Sequence, residues 1–263
     1  MSPAPNLAPP SATALAGRAW GDVRKSFSSL WPLWIAGSVY GAGSTYWSRV
    51  ASPERGHVTG PWLIYLALST IGGAILSGPA ARAFLGGGKP WWTLDSALAR
   101  YVLLDALGGL LIESPNMIPS AAQTGAAQTG AAQTGAGLAA AGAMLGVALF
   151  KLVGVFVLVW IVVRLLLWPI GQFPEVGVVS ARQSWRLMRG AFWPYVGAAI
   201  LAGLPPGIIA LSLVSLYRAH GALWALIAQA PFNGLLNLIL TAVGVEVYRA
   251  RVTEPDTLAD VYG

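Results

Sequence analysis

The chain of 263 residues contains no cysteine and only two histidines, His57 and His220. Without cysteine it can form no disulfide framework and offers no thiolate for chemistry. Each histidine stands alone near a separate predicted loop with no carboxylate beside it, so we expect no metal site and no cofactor. No nucleophile–base pattern is visible either, so the sequence predicts no catalytic residue.

Charged residues are also scarce. Asp, Glu, Lys and Arg together make up 10% of the chain, whereas soluble domains contain about 25%. Hydrophobic types make up 56%, with 32 Gly, 18 Pro and 12 Trp. So few charges cannot cover a water-soluble globule of this length, and so many apolar residues exclude a disordered chain. The composition therefore predicts an all-α fold, a polytopic integral membrane helical bundle.

Six apolar segments predict about six transmembrane helices. Each segment approaches the ~20 residues that cross ~30 Å of hydrocarbon. The segments lie near residues 31–47, 62–76, 98–112, 143–163, 191–216 and 223–247. Pro205-Pro206-Gly207 interrupts the fifth segment and predicts a kink or a break there, because proline removes a backbone donor.

Three further segments have the spacing of amphipathic interfacial helices. The first contains Trp20, Val23, Phe27 and Leu30, and the second covers residues 91–99. The third contains Val178, Ala181, Trp185 and Met188 at helical spacing, with three arginines on the adjoining arc, namely Arg182, Arg186 and Arg189. This third segment predicts a helix that places Trp185 and Met188 at the acyl boundary and its arginines at phosphate level.

The polar segments divide the chain into a membrane domain, residues 16–250, and two tails, residues 1–15 and 251–263. The N-terminal tail is rich in Pro, Ala and Ser and is expected to be disordered. The loop 115–136 contains Ala-Ala-Gln-Thr-Gly three times in succession, at 121–135. A glycine in every fifth position favours a flexible low-complexity insert over a binding repeat.

Basic residues are distributed unevenly between the segments that separate the spans. The four odd-numbered segments contain 12 basic residues and the three even-numbered segments contain three. The positive-inside rule therefore predicts that both termini are cytoplasmic. The net charge is +6, and the basic residues lie between apolar segments. Anionic lipid headgroups are therefore the expected partner rather than nucleic acid.

Polar residues recur every four positions along the sixth span, at Gln229, Asn233, Asn237 and Thr241. Four-residue steps keep them on one helix face, which must look into the bundle because lipid offers no hydrogen-bond partner. Two interpretations remain open: interhelical hydrogen bonding, or the lining of a substrate path.

Two charged residues lie inside predicted spans, Asp105 in the third and Lys151 in the fourth. Because an unpaired charge is disfavoured in hydrocarbon, the sequence favours a structural ion pair between them, or between Lys151 and Glu113. A transport or proton-relay role, or a Lys151 side chain that reaches water, are the alternatives.

One stretch of the chain resembles a known family. It comprises Arg164-Leu-Leu-Leu-Trp-Pro, then Pro174-Glu175, then the run Ser-Trp-Arg-Leu-Met-Arg-Gly-Ala-Phe-Trp at 184–193. The stretch resembles the membrane domain named after glycerophosphodiester phosphodiesterases, which many bacterial inner-membrane proteins share. The resemblance implies a helical domain in the bacterial inner membrane. It does not imply hydrolysis, because the chemistry of the named enzymes belongs to a separate TIM-barrel domain.

These observations favour a non-catalytic function. The leading hypothesis is a structural or lipid-interacting membrane module that binds phospholipids through Arg182, Trp185, Arg186 and Arg189. The alternative is a small transporter or permease with a polar path along the sixth helix beside a broken fifth helix. A water-filled cavity at Asn233 would favour the transporter, and a dry, packed bundle would favour the lipid-interacting module.

Overall fold

The computed structural model describes residues 11–51, 60–86, 89–113, 136–173 and 178–253, and within these ranges the chain forms helices and no strand. The helices are α1 (Ala12–Ala51), α2 (Gly60–Leu85), α3 (Ser96–Glu113), α4 (Ala136–Leu165), α5 (Leu167–Ile170), α6 (Ala181–Leu187), α7 (Phe192–His220) and α8 (Leu223–Tyr248). A π-helical turn, Arg249–Thr253, extends α8.

Four helical stretches of the described residues are long and apolar enough to cross a membrane, which confirms the helical membrane bundle. They are α2, residues 152–170, α7, and α8 with its extension to residue 252. Neither α1 nor α3 has that combination of length and apolar composition. The helix α3 has only 18 residues and contains Arg100, Asp105 and Glu113.

The bundle is built around α8, which packs against α1, α7 and α2. The helices α1 and α8 are antiparallel and lie close together, because glycines face each other where they cross. The Trp34 indole donates a hydrogen bond to the Pro231 carbonyl, with an N···O distance of 3.0 Å. A Cβ added at Gly37 would lie 3.2 Å from the Gly234 Cα. The two backbones therefore touch near the middle of the bundle.

The helices α2, α3 and α4 also alternate in direction. At one level of the α2–α3 pair Ser77 contacts Asp105, and at another Thr70 contacts Gly109. Helix α3 also contacts α4, because a Cβ added at Gly108 would lie 3.6 Å from the Val162 side chain. Helix α4 forms fewer contacts than the other long helices and carries several exposed apolar residues.

The structure corrects the prediction of a separate interfacial helix before the first span. Residues 12–51 form one helix that passes through Pro32, so the predicted N-terminal tail ends by residue 11. Val23, Leu30 and Leu33 are all buried, so a single apolar face continues across the proline and holds both parts against the bundle. Residues 1–10 lie outside the described part of the chain.

The second predicted interfacial helix, residues 91–99, is also wrong in its first half. Residues 91 and 92 form a turn and the helix starts only at Ser96. The Asp95 carboxylate accepts a hydrogen bond from the Leu98 backbone N–H at 2.9 Å, which is how a capping residue starts a helix. The capping aspartate therefore sets the beginning of α3.

The predicted break at Pro205-Pro206-Gly207 does not occur, since α7 is continuous from Phe192 to His220. In a membrane the backbone has no water to bond with, so the remaining helical hydrogen bonds are kept on both sides of a proline.

The predicted C-terminal tail begins later than expected, because residues 251–253 belong to the π-helical turn. Residues 114–135, which contain the three repeats, and residues 254–263 lie outside the described residues.

Candidate functional site

The short helix α6 and the turn that follows it present three exposed arginines, Arg182 and Arg186 on the helix and Arg189 in the turn, and form the predicted lipid site. A capping box fixes its start. The Ser180 hydroxyl accepts a hydrogen bond from the Gln183 backbone N–H at 3.3 Å, and the Gln183 side chain accepts one from the Ser180 N–H at 2.8 Å. The helix is therefore shorter than its apolar spacing predicts, and Val178 precedes it as an exposed residue.

Arg164, near the end of α4, holds α6 in place. Its guanidinium group lies over the rings of Trp160 and Trp185, 5.0 and 5.6 Å from their centroids, and donates a hydrogen bond to the Trp185 carbonyl. The Ser184 hydroxyl donates a 2.9 Å hydrogen bond to the Arg164 carbonyl. The two tryptophan rings meet edge to face at 5.1 Å. These contacts fix the direction in which the three arginines project.

The predicted membrane insertion of Met188 is wrong, because Met188 is 0% exposed and belongs to the hydrophobic core. Trp185 is 37% exposed, so part of this residue remains accessible beside the arginines. Beyond Gly190, whose φ of +82° turns the chain, Trp193 is 67% exposed on the first turn of α7. The apolar surface next to the arginines is therefore formed by the two tryptophans.

An apolar groove of about 500 Å³ lies between α4 and α7 and reaches α3 and α8. One end of it is at Leu166 and Tyr195, close in sequence to Arg164 and to Arg189. Small residues on α7 widen it, including Ala199, Gly203 and Gly207. The groove can accommodate a slender apolar group, and no charged residue contributes to its lining.

A group of charged residues connects α1, α2 and α8 at the end of the bundle where α6 lies. The sequence did not predict this group. Arg249 is paired with Asp22 at 2.5 Å and with Glu246, and it donates a hydrogen bond to the Phe84 carbonyl. Arg18 lies 3.4 Å from Glu246, whose side chain is 4% exposed. We call Arg18, Asp22, Glu246 and Arg249 the terminal ion network.

A buried arginine, Arg82, holds the turn between α2 and α3 in place through hydrogen bonds. Arg82 is 2% exposed and lies 4.8 Å above the Phe173 ring. It donates hydrogen bonds of 2.6 Å to the Thr93 carbonyl and to Asp95, and Lys89 lies 3.5 Å from the same carboxylate. Burial favours a higher pKa for Asp95, but the hydrogen bonds from Arg82 and the Leu98 N–H outweigh it, and the pKa falls to about 2.

The polar face of α8 packs against α1. Gln229 is 0% exposed, and neither polar atom of its amide has a partner among the described residues. A Cβ at Gly41 would lie 2.6 Å from the Asn233 Cβ, and one at Gly37 would lie 3.9 Å from the Asn237 amide nitrogen. The contact is too close to leave a channel between α1 and this face.

The ion pair between Asp105 and Lys151 conflicts with the register of α3 and α4. Gly108 faces Val162 in this antiparallel pair, so Asp105 lies beyond Val162 toward the C-terminal end of α4. Lys151 lies in the opposite direction, which separates the two levels by about 20 Å at 1.5 Å per residue. The Lys151 side chain itself lies outside the described residues. Asp105 instead accepts a hydrogen bond from Ser77 at 2.6 Å.

No family model, curated protein or solved structure matches this chain. The resemblance of residues 164–193 to the glycerophosphodiester phosphodiesterase membrane domain therefore stays a prediction. Within the described ranges, no three His, Asp or Glu side chains come together as metal ligands. The α6 surface, the groove and the half-buried carboxylate of Asp105 are the features that bear on function.

Proposed function

We propose that this chain is a phospholipid-binding module of a bacterial inner membrane and that α6 binds the headgroups of anionic lipids. The observation that carries the proposal is the fixed orientation of α6. Arg164 clamps Trp185 against α4, while Arg182, Arg186 and Arg189 remain exposed without an ion-pair partner in the part of the chain that the structure describes. Guanidinium groups without an ion pair, next to exposed tryptophan on a helix held in one orientation, are suited to phosphate oxygens.

The neighbouring surface fits the rest of a lipid molecule. Tryptophan is enriched at the membrane–water interface, so the exposed Trp185 and Trp193 support a position of α6 at headgroup depth. From there the groove between α4 and α7 continues along the apolar helices, and we assign it to an acyl chain of the same lipid. Each basic residue near an anionic membrane surface contributes about 1 kcal/mol to such binding.

The close packing of the α8 polar face speaks against the alternative of a substrate path along this helix. Gly37 and Gly41 bring α1 against Asn233 and Asn237, and α7 is not broken beside it. We therefore interpret these amides as part of the α1–α8 helix contact, where polar contacts contribute about 0.6 kcal/mol each.

Replacing Arg182, Arg186 and Arg189 together with lysine should reduce lipid retention without changing membrane insertion. Lysine keeps the positive charge that determines topology but lacks the planar fork that binds phosphate through two hydrogen bonds. We expect roughly a tenfold loss of co-purifying cardiolipin or phosphatidylglycerol, if the lost bidentate contacts together contribute about 1.4 kcal/mol. Native mass spectrometry of the protein in mild detergent measures this loss.

Arg218→Lys is the matched control, because Arg218 is an exposed arginine at the opposite end of α7. Its lipid retention should equal that of the unmodified protein. If the triple lysine variant retained as much anionic lipid as this control, the arginines would have only a topological role.

We further propose six spans with both termini in the cytoplasm, so that α1 and α3 also cross the membrane. The contacts of the long helices support alternation. The terminal ion network and the Arg82–Asp95 pair lie at one end of the bundle. At the other end Arg49 donates a hydrogen bond to the Tyr217 carbonyl, and Ser44 lies 3.4 Å from the Tyr65 hydroxyl. The first end contains the basic-rich segments that the positive-inside rule places in the cytoplasm.

Single cysteines introduced at Ser2, Gly60, Lys89, Gly130 and Gly263 should test this topology, because the natural chain contains no cysteine to interfere. We expect a membrane-impermeant maleimide to label positions 60 and 130 from the periplasmic side of intact cells. Positions 2, 89 and 263 should become labelled only after the membrane is permeabilised. Labelling of positions 2 and 60 from the same side would show that α1 does not cross.

A further inference from the structure

Among the residues that the structure describes, Asp105 has no counter-charge, unlike the other acidic side chains discussed above. It lies in the middle of α3, where its carboxylate accepts a hydrogen bond from the buried Ser77 hydroxyl of α2, with an O···O distance of 2.6 Å. Asp95 by contrast is paired with Arg82, and Glu246 with Arg249. Asp105 is therefore set apart from the structural ion pairs at the end of the bundle.

The side chain that contacts Asp105 carries a hydroxyl group rather than a charge. It belongs to Ser77 of α2. Beside it the ring of Tyr101, one turn before Asp105 on α3 and 5% exposed, would lie 3.0 Å from a Cβ at Gly78. The α2–α3 contact thus brings a carboxyl group and a hydroxyl group together in one site.

The basic residues nearest in level do not approach the carboxylate. Arg164 of α4 is at a similar depth, but its guanidinium group is held between Trp160 and Trp185. Val162, two residues earlier, is the position that faces α3, and two residues turn an α-helix by about 200°. No lysine, arginine or histidine of the described ranges is bonded to Asp105.

The Ser77 hydroxyl has a second acceptor within reach. Its oxygen lies 2.6 Å from the Asp105 carboxylate and 3.2 Å from the Ala74 carbonyl of its own helix. A hydroxyl has one hydrogen and can also accept, so it can serve either state of the carboxyl group. When Asp105 is ionised, Ser77 donates to it. When Asp105 holds a proton, Asp105 donates to Ser77 and Ser77 donates to Ala74.

We propose that Asp105 and Ser77 form a proton-binding site inside the helical bundle, with the proton carried by the Asp105 carboxyl group. An isolated carboxylate in hydrocarbon is strongly disfavoured, and ionisable residues at such positions commonly bind or relay ions. The site supplies one carboxyl group, a hydroxyl partner for both of its protonation states and no cation. This chemistry selects a proton as the ligand. The site rests on the proposed crossing of the membrane by α3, but not on the lipid-binding function proposed for α6.

Labelling with the apolar reagent dicyclohexylcarbodiimide tests the proposal, because this reagent modifies protonated carboxyl groups within membranes. We expect the full-length protein in lipid nanodiscs to gain one adduct, located at Asp105 by peptide mass spectrometry and decreasing as the pH rises. Asp95 and Glu246 are internal controls that should stay unmodified, since each carboxylate is ion-paired with an arginine. Asp105→Asn should remove the adduct while the protein stays monodisperse.

Ser77→Ala separates proton binding from simple accessibility. Removing a hydrogen bond to the ionised carboxylate should move the midpoint of labelling upward by about one pH unit. Absence of labelling at Asp105 between pH 5 and pH 9, or labelling that does not change with pH, would overturn the proposal. Protection by Na⁺ at constant pH would also overturn it, because the site would then bind a metal cation.

Discussion

Gly234→Ala should destabilise the bundle by about 3 kcal/mol or more, although alanine is the better helix former. A Cβ at position 234 would lie 2.4 Å from the Trp34 carbonyl oxygen and 2.5 Å from the Ser38 hydroxyl oxygen. The first of these atoms is backbone and cannot rotate away, so α1 and α8 would have to separate. Thermal unfolding in nanodiscs should show a clearly lower midpoint, and less protein should elute as a monodisperse species.

Gly207→Ala is the matched control for this substitution. Gly207 also lies within a membrane helix, but an added Cβ would meet no atom within 4 Å. Helix propensity alone then acts, and the variant should be as stable as the natural protein or more stable by up to about 1 kcal/mol. Equal stability of the Gly234→Ala and Gly207→Ala variants would show that α1 and α8 do not touch at this point.

Arg249→Met should have the second large effect, a loss of about 3–5 kcal/mol, because it leaves a buried carboxylate without its main partner. Arg249 binds Asp22 of α1, Glu246 of α8 and the Phe84 carbonyl at the end of α2. The remaining cation near Glu246 is Arg18, which is 45% exposed and therefore a weaker partner. The measurement is again the unfolding midpoint in nanodiscs, compared with that of the natural protein.

Two further variants identify the origin of that loss. Arg251→Met removes a cation two positions away that has no ion pair in the described part of the chain, and its effect should be much smaller. Adding Glu246→Gln to Arg249→Met should recover part of the stability, since the stranded charge is then removed. Strictly additive losses in the double variant would contradict the direct contact between Arg249 and Glu246.

The sequence was sufficient for the class of fold and for the approximate position of most helices, because both depend on apolar composition and helical spacing. It failed at the ends of helices, where single polar contacts decide. The apolar spacing of residues 178–188 does not show that α6 starts at the Ser180–Gln183 capping box. Pro205 and Pro206 would break the helix only if the backbone groups freed by the break found other hydrogen-bond partners. Lipid offers none, so the helix continues.

The partners of the charged residues were harder to predict. Asp22 and Arg249 are 227 positions apart, so no local pattern connects them. A local signal did exist within each helix, since Arg18 and Asp22 are four residues apart and Glu246 and Arg249 are three apart. Pairs at these spacings share a helix face, which could have indicated a charged contact at one end of α1 and of α8.

The register of neighbouring helices was equally inaccessible. The expected pairing of Asp105 with Lys151 depends on both residues lying at one depth, and span limits known only to within a turn or two cannot establish this. The structure shifts the two levels apart by about 20 Å, through the contact of Gly108 with Val162. The orientation of Trp185 is similarly determined by Arg164, whose position in the sequence indicates only a positive charge at the end of a span.

The pairing of the first long helix with the last has a consequence for biosynthesis. The surface of α1 around Gly37 and Gly41 is complementary to α8, which the ribosome translates only after all the helices that lie between them. On the six-span topology proposed above, α1 waits until then beside lipid or a helper protein with this glycine surface uncovered. A chain that terminates before Leu223 cannot complete the bundle however well its earlier helices insert, and it presents a lasting target for membrane quality-control proteases.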